Sequence, residues 1–139
     1  MRVPQRQGAL GELRPGFEIA QLIPVNINTD LEAALAPVKA MLGFYIGGMG
    51  AKKRNFHMQL MARMGFEAEA QKIQELFLEG KRSEAVATVP SAFADEISLS
   101  GPLDRIKDRL EAWKETPVTT LLLAGGEAGT IRAMAELLL

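Results

Sequence analysis

Two short stretches hold the side chains whose types and spacing could do chemistry. The first is a glycine joint, Tyr45-Ile46-Gly47-Gly48-Met49-Gly50-Ala51-Lys52-Lys53-Arg54-Asn55-Phe56-His57. Lys52, Lys53 and Arg54 are three consecutive cations at the start of a helical pattern. Cations and helix N-termini both favour anions, so this turn suits an anionic substrate or cofactor tail, or else it is a solvated surface turn. Asn55 either orients a substrate or caps the second helix, the position asparagine prefers. Tyr45 and Phe56 could stack on a flat substrate, but each falls on the apolar stripe of its helix, where core packing competes. His57 is the only histidine. Its imidazole could move a proton, yet no acidic or cysteine partner stands at a recognisable spacing. No second histidine or carboxylate completes a metal-ligand pattern, and no metal is expected.

The second stretch is a pair of strand-to-helix turns, Ser100-Gly101 and Gly125-Gly126. Backbone N–H groups at such turns can receive a phosphate. Glu127 follows Gly126 directly and opposes an anion there.

The elements that must position these groups follow from hydrophobic periodicity. Residues 17–27 (FEIAQLIPVNI) are nearly continuously apolar, which predicts a strand covered on both faces. Thr29-Asp30-Leu31-Glu32 reads as a capping box with Thr29 at the cap. Leu31, Leu35, Val38, Leu42 and Tyr45 then mark a helix that Pro37 kinks or restarts and Gly47-Gly48 ends. A second helix is predicted over 52–64 with Phe56, Leu60 and Met64 inward and Gly65 as its C-cap. A third spans 66–78 with Ala70, Ile73 and Phe77 inward, closed by Gly80, and a short fourth covers 81–89, ended by Pro90. Ile97-Ser98-Leu99 is a short extended piece. Pro102 opens a helix as its first residue, with Leu103, Ile106, Leu110 and Trp113 buried. Residues 118–123 (VTTLLL) are a second buried strand, and the last helix turns Ile131, Met134 and Leu138 inward.

Composition narrows the class. The chain has 139 residues, enough for one domain, with 47% apolar and 24% charged residues. Sixteen basic against 17 acidic side chains give a net charge of -1, which argues against broad binding to nucleic acid or an anionic membrane. No cysteine is present, so disulfides, thiolate metal sites and a cysteine nucleophile are excluded, in keeping with a reducing cytoplasm. No apolar run reaches the roughly 18 residues a membrane span needs. Residues 1–16, rich in Arg, Gly and Pro, read as a flexible lead-in that lacks the apolar stretch of a signal peptide.

Strands alternating with amphipathic helices predict βα units and parallel pairing. Two or three parallel strands cannot close a barrel, which needs eight strands and about 250 residues. Left alone they expose unpaired edges that invite association. The expected partner is the remainder of the barrel or another copy of the chain, a homo-oligomer.

Several strings in order sharpen this reading. Tyr45-Ile46-Gly47-Gly48-Met49-Gly50, then Asn55-Phe56, then Met64-Gly65-Phe66 resemble the C-terminal part of the luciferase-like monooxygenase superfamily, in its coenzyme F420-dependent oxidoreductase branch. Ile97-Ser98-Leu99-Ser100-Gly101-Pro102 and Val118-Thr119-Thr120-Leu121-Leu122-Leu123 are similar to that family's ending. The resemblance implies an α/β fold, the C-terminal portion of a (β/α)8 TIM barrel. In it, 17–27 is strand seven, 28–96 a large helical insertion and 97–99 a lead-in to helix seven at 102–115. Residues 118–123 are then strand eight and 127–139 the last helix. Strands one to six, whose loops hold most of the cofactor in such enzymes, have no counterpart among these 139 residues.

Two functions follow. In the first, the chain is the C-terminal segment of an F420-dependent (or FMN-dependent) oxidoreductase or monooxygenase that transfers hydride to or from a small organic substrate. Tyr45, Met49, Lys52, Lys53, Arg54, Asn55 and His57 are then the substrate-binding set, and Ser100, Gly101, Gly125 and Gly126 the cofactor-binding set. Cofactor is expected only in the complete barrel, and the chain alone is expected to be inactive. In the second, the chain is a non-catalytic module that self-assembles through its strand edges.

Overall fold

A computed structural model describes residues 16–50, 54–124 and 126–138. The predicted lead-in 1–16 falls almost wholly outside the described residues, as do Lys52, Lys53 and Gly125. In chain order the elements are β1 (Ala20–Ile27), α1 (Leu31–Gly48), α2 (Phe56–Met61), α3 (Glu67–Leu78), α4 (Arg82–Thr88), α5 (Ser91–Glu96), β2 (Leu99–Gly101), α6 (Leu103–Lys114), β3 (Thr120–Ala124) and α7 (Ala128–Leu138). The protein is mixed α/β.

The sheet has three strands in the order β2-β1-β3, all parallel. β1 is central: Val25 pairs with Leu99 on one side, and Ala20 to Pro24 pair with Thr120 to Ala124 on the other. Side chains alternate across a strand, so Ile23 and Val25 point to one face, where Leu99, Ile106, Leu110 and Met134 bury them. Leu22 points the other way and is 60% exposed, as is its register partner Leu122 at 47%. The expectation of strands covered on both faces is therefore corrected: an apolar run records that both faces suit apolar contact, not that both have it.

α1 is a single helix. The expected restart at Pro37 does not occur: the helix runs through it, because a proline in the second turn of an 18-residue helix forfeits one bond while packing supports the rest. Its cap is Asp30, not Thr29. The Asp30 carboxylate accepts from the N–H groups of Glu32 and Ala33 at 3.0 and 3.3 Å, and Asn28 Oδ1 accepts from the Asp30 N–H at 2.9 Å, which sets the turn one residue later than the capping-box reading.

Leu35, Val38, Leu42 and Ile46 of α1 meet Met61, Ile73, Leu76, Val89 and Phe93 in a second core. Each fully buried aliphatic side chain there is worth about 1.5–3 kcal/mol relative to exposure. Gly47 and Gly48 let α1 touch α3: a Cβ on Gly47 would lie 2.4 Å from the Phe77 Cβ.

The predicted second helix starts later, at Phe56, and a wider π turn, Ala62–Phe66, follows it to Gly65 (φ 98). Its stripe faces outward, with Phe56 61%, Leu60 37% and Met64 38% exposed, which overturns the inward assignment. Ile131 and Leu138 of α7 and Leu103 of α6 are likewise exposed, while Met134, Ile106 and Leu110 are buried as expected. α5 was not foreseen, because six residues are too few to show a period. Ile97 caps α5, and the extended piece begins at Leu99 as a three-residue parallel strand, Leu99–Gly101, that runs into α6. Pro102 is the N-cap of α6, one position before the expected one.

Polar clasps tie α5 to α6 and to α1. Asp95 of α5 accepts both Nη groups of Arg105 at 3.0 and 2.7 Å, and Arg109 Nη1 at 3.0 Å. Lys39 Nζ donates to Glu32 at 2.9 Å and to Ser91 Oγ at 2.7 Å, which holds α1 against α5.

Candidate functional site

The glycine joint is built around Asn55. It is 1% exposed, and its side chain works in both directions. Nδ2 donates to the Ile46 carbonyl at 2.6 Å, near the end of α1, and at 3.3 Å to the Tyr45 carbonyl, which also accepts the Met49 N–H. Oδ1 accepts from the Met58 N–H at 3.0 Å, capping α2. Gly50 (φ 126) makes the reversal possible, since a Cβ there would sit 2.9 Å from the Arg54 carbonyl oxygen. The capping reading of Asn55 is thus what the geometry shows, with a second duty at the preceding helix end.

This closure brings Tyr45 and His57 together, with ring centroids 4.8 Å apart and planes tilted by 41°. Phe44 stands edge-on to Tyr45 at 5.9 Å, and Phe56 edge-on to His57 at 5.6 Å. The four rings form one row. The inner two are half-buried, and Phe44 (54%) and Phe56 (61%) are open to solvent. Met49 (44%) and Arg54 are exposed beside it. The joint therefore gathers Tyr45, Asn55 and His57, while Lys52 and Lys53 lie outside the described residues. Phe44 was missed; its signal was the clustering of aromatics at 44, 45 and 56 across one glycine break.

The strand-end group lies elsewhere. Ser100 is fully buried, and its hydroxyl is taken: Ser98 Oγ donates to the Ala94 carbonyl at 2.9 Å, so Ser100 Oγ donates to Ser98 Oγ at 2.9 Å. The Ser100 carbonyl accepts from Arg105 Nη1 at 2.7 Å. Gly101 is buried with φ 117, faces Arg105 and Leu31, and accepts the Asn28 N–H at 3.0 Å. Gly126 (φ 121) is exposed on the rim of a cleft of ≈ 350 Å³, which Asn26, Asn28, Ala33, Pro37 and Thr130 also line.

That cleft sits at the C-terminal ends of β1 and β3, the end where parallel α/β sheets place ligands. A second cleft of ≈ 320 Å³, lined by Trp113, Val118 and Leu138 among others, sits at the opposite end of β3 and lacks that argument. The strand-end cleft carries Glu127 and no Lys or Arg among its described lining residues. Tyr45 lies eight residues beyond Pro37 of the cleft wall, about 12 Å along α1 at the helical rise. Among the described residues the two sequence-predicted groups do not meet.

Among the described residues no group of three or more His, Asp or Glu is placed to hold a metal ion. No helix among them is long and apolar enough to cross a membrane.

The luciferase-like monooxygenase family model matches residues 5–120. The chain is 33% identical over 124 residues to the putative coenzyme F420-dependent oxidoreductase of Mycobacterium tuberculosis, an overlap of 89% of this chain and 36% of that protein. It thus spans about a third of the length of the curated relative it matches. No solved structure matches it.

Proposed function

The chain belongs to the luciferase-like monooxygenase family, and from that premise we propose that it is the C-terminal segment of a coenzyme F420-dependent oxidoreductase. In this reading β1 and β3 are strands seven and eight of a (β/α)8 barrel, 28–96 is the insertion between them, and the Tyr45–His57 joint walls the substrate pocket. The observation that carries it is the Leu22–Leu122 pair. These two side chains lie side by side in register on a face of the parallel sheet that the described residues leave open. Parallel sheets are ordinarily covered on both faces, so the pair calls for further strands.

The cofactor, F420 by likeness to the mycobacterial relative and FMN as the alternative, would supply the hydride chemistry, and the protein its position and surroundings. The residues present do not fit such a group on their own. Described residues of the strand-end cleft offer no cation to a phosphate- or carboxylate-bearing cofactor, and the Ser100 hydroxyl is already engaged. No step is assigned to this chain through the cofactor. Its own share is to hold an organic substrate and to exclude water.

The same open face supports a second reading, self-association without catalysis, because another copy could cover Leu22 and Leu122. Titration of F420 into this chain and into the assembled full-length enzyme separates them. Deazaflavin absorbance is expected to travel with the assembled enzyme only. Stoichiometric binding by this chain alone would overturn the division of labour, and a folded monomer at micromolar concentration would count against the association reading.

A further inference from the structure

We infer that the ring row Phe44, Tyr45, His57, Phe56, together with Arg54, is a binding face for a planar aromatic anion. The inference names a substrate class for the joint and rests on the substrate-wall role proposed above.

Two independent features of the molecule converge on it. One is the geometry of the rings. Tyr45 and His57 are held in contact at 4.8 Å by the Asn55 bridge, with Phe44 and Phe56 set edge-on to them at interplanar angles of 67° and 79°. Aromatic faces and edges presented together suit a flat ring, which can stack on one member while meeting the edge of the next. Exposure of Phe44 and Phe56 above one half means that the row is not consumed in packing the core.

The other is charge. From Ala33 to Phe66 the sequence contains Lys39, Lys52, Lys53, Arg54 and Arg63 and not one Asp or Glu, although the chain as a whole is slightly acidic. Lys39 is committed to Glu32 at 2.9 Å. Arg54 precedes the Asn55 cap directly, and it and Arg63 are exposed. A guanidinium pairs with a carboxylate through two parallel hydrogen bonds, which the compact ammonium of lysine cannot reproduce. A stretch with cations and no acid of its own disfavours a cationic aromatic and gives a neutral one only its stacking. It also disfavours a second copy docked by its own matching face, since like charges would meet.

The chain has one histidine and one tyrosine, and both stand in this row. Their proton NMR signals therefore report on the site without assignment of the rest. With 2-naphthoate added to the intact chain, saturable shifts are expected at both rings. 2-Naphthol, of the same shape without the charge, is expected to bind about tenfold more weakly. Phe56→Ala should weaken 2-naphthoate by about threefold to tenfold. Arg54→Gln should bring 2-naphthoate to the level of 2-naphthol, and because both side chains are exposed these variants should keep the fold. Absence of shifts at both rings up to millimolar probe, equal binding of the two naphthyl compounds, or indifference to both variants would each overturn the inference. Its failure is separable from that of the oxidoreductase reading. An assembled enzyme that uses F420 on uncharged substrates alone would remove the anion and leave the oxidoreductase. Naphthoate bound at these rings, with no deazaflavin chemistry in the assembled enzyme, would do the reverse.

Discussion

Asn55 donates to the carbonyl oxygen of Ile46 at 2.6 Å from a position 1% exposed to solvent, so one side chain closes α1 and opens α2. Replacing it with alanine takes the partner from the Ile46 carbonyl and the Met58 N–H, while the Tyr45 carbonyl keeps the Met49 N–H at 3.4 Å. A loss of about 2–4 kcal/mol is expected in urea unfolding, combining the cap with the buried donors. Asn55→Asp separates the two duties. Aspartate keeps the acceptor for Met58 but turns a carboxylate toward the Ile46 and Tyr45 carbonyls. It should be at least as destabilising as alanine, and a near-native Asn55→Asp would show that the cap alone matters.

Gly47 and Gly129 predict opposite signs for the same substitution. A methyl on Gly47 would meet the Phe77 side chain at 2.4 Å, so Gly47→Ala must push α1 from α3 at a cost of about 1–3 kcal/mol. Nothing lies within 4 Å of a methyl on Gly129, and Gly129→Ala should stabilise α7 by about 0.5–1 kcal/mol. Thermal unfolding of the two variants side by side measures both.

These contrasts mark what the sequence could and could not show. Element order and the breaks at Gly47-Gly48, Gly65 and Gly80 were legible because glycine and proline act locally. The faces were less so. Periodicity placed Phe56, Leu60 and Met64 on one stripe and Ile131, Met134 and Leu138 on another, but it does not record what lies opposite. Met134 found a cover and its neighbours on the stripe did not. Asp30 displaced Thr29 as a cap because Asn28 bound the Asp30 N–H, a contact between polar residues two apart that spacing cannot rank. The Tyr45–His57 contact depends on how tightly Gly50 reverses the chain, which no pattern encodes.

Leu22 and Leu122 should matter to assembly and hardly at all to the chain's own stability. Both are about half exposed or more, so the double change Leu22→Ser, Leu122→Ser should alter unfolding free energy by about 0.5 kcal/mol or less per site. Sedimentation is expected to show weaker self-association of the variant. Unchanged association would place the contact elsewhere.

Glu32 gives an acid-side signature. Hydrogen bonds from Lys39 and then Ser91 hold its carboxyl below the usual carboxylate value. A lowered native value means that the unfolded chain takes up the proton first on acidification. The contribution is therefore full above the unfolded carboxylate value and is lost as pH falls through the lower native one. The stability difference between wild type and Glu32→Gln should be flat near neutrality and vanish in strong acid. A difference that persisted at the acid end would assign it to something other than charge.

The register of Ala20 against Thr120 has a consequence for synthesis. One hundred residues separate the two partners, whereas the helices α1, α3, α4 and α5 close over shorter spans of chain. Loop closure over that span comes late in folding, and contacts of short range form first. On the ribosome the helical block can take shape while β1 still waits for β3, so that edge of β1 stays open until the last βα unit of this segment has been made.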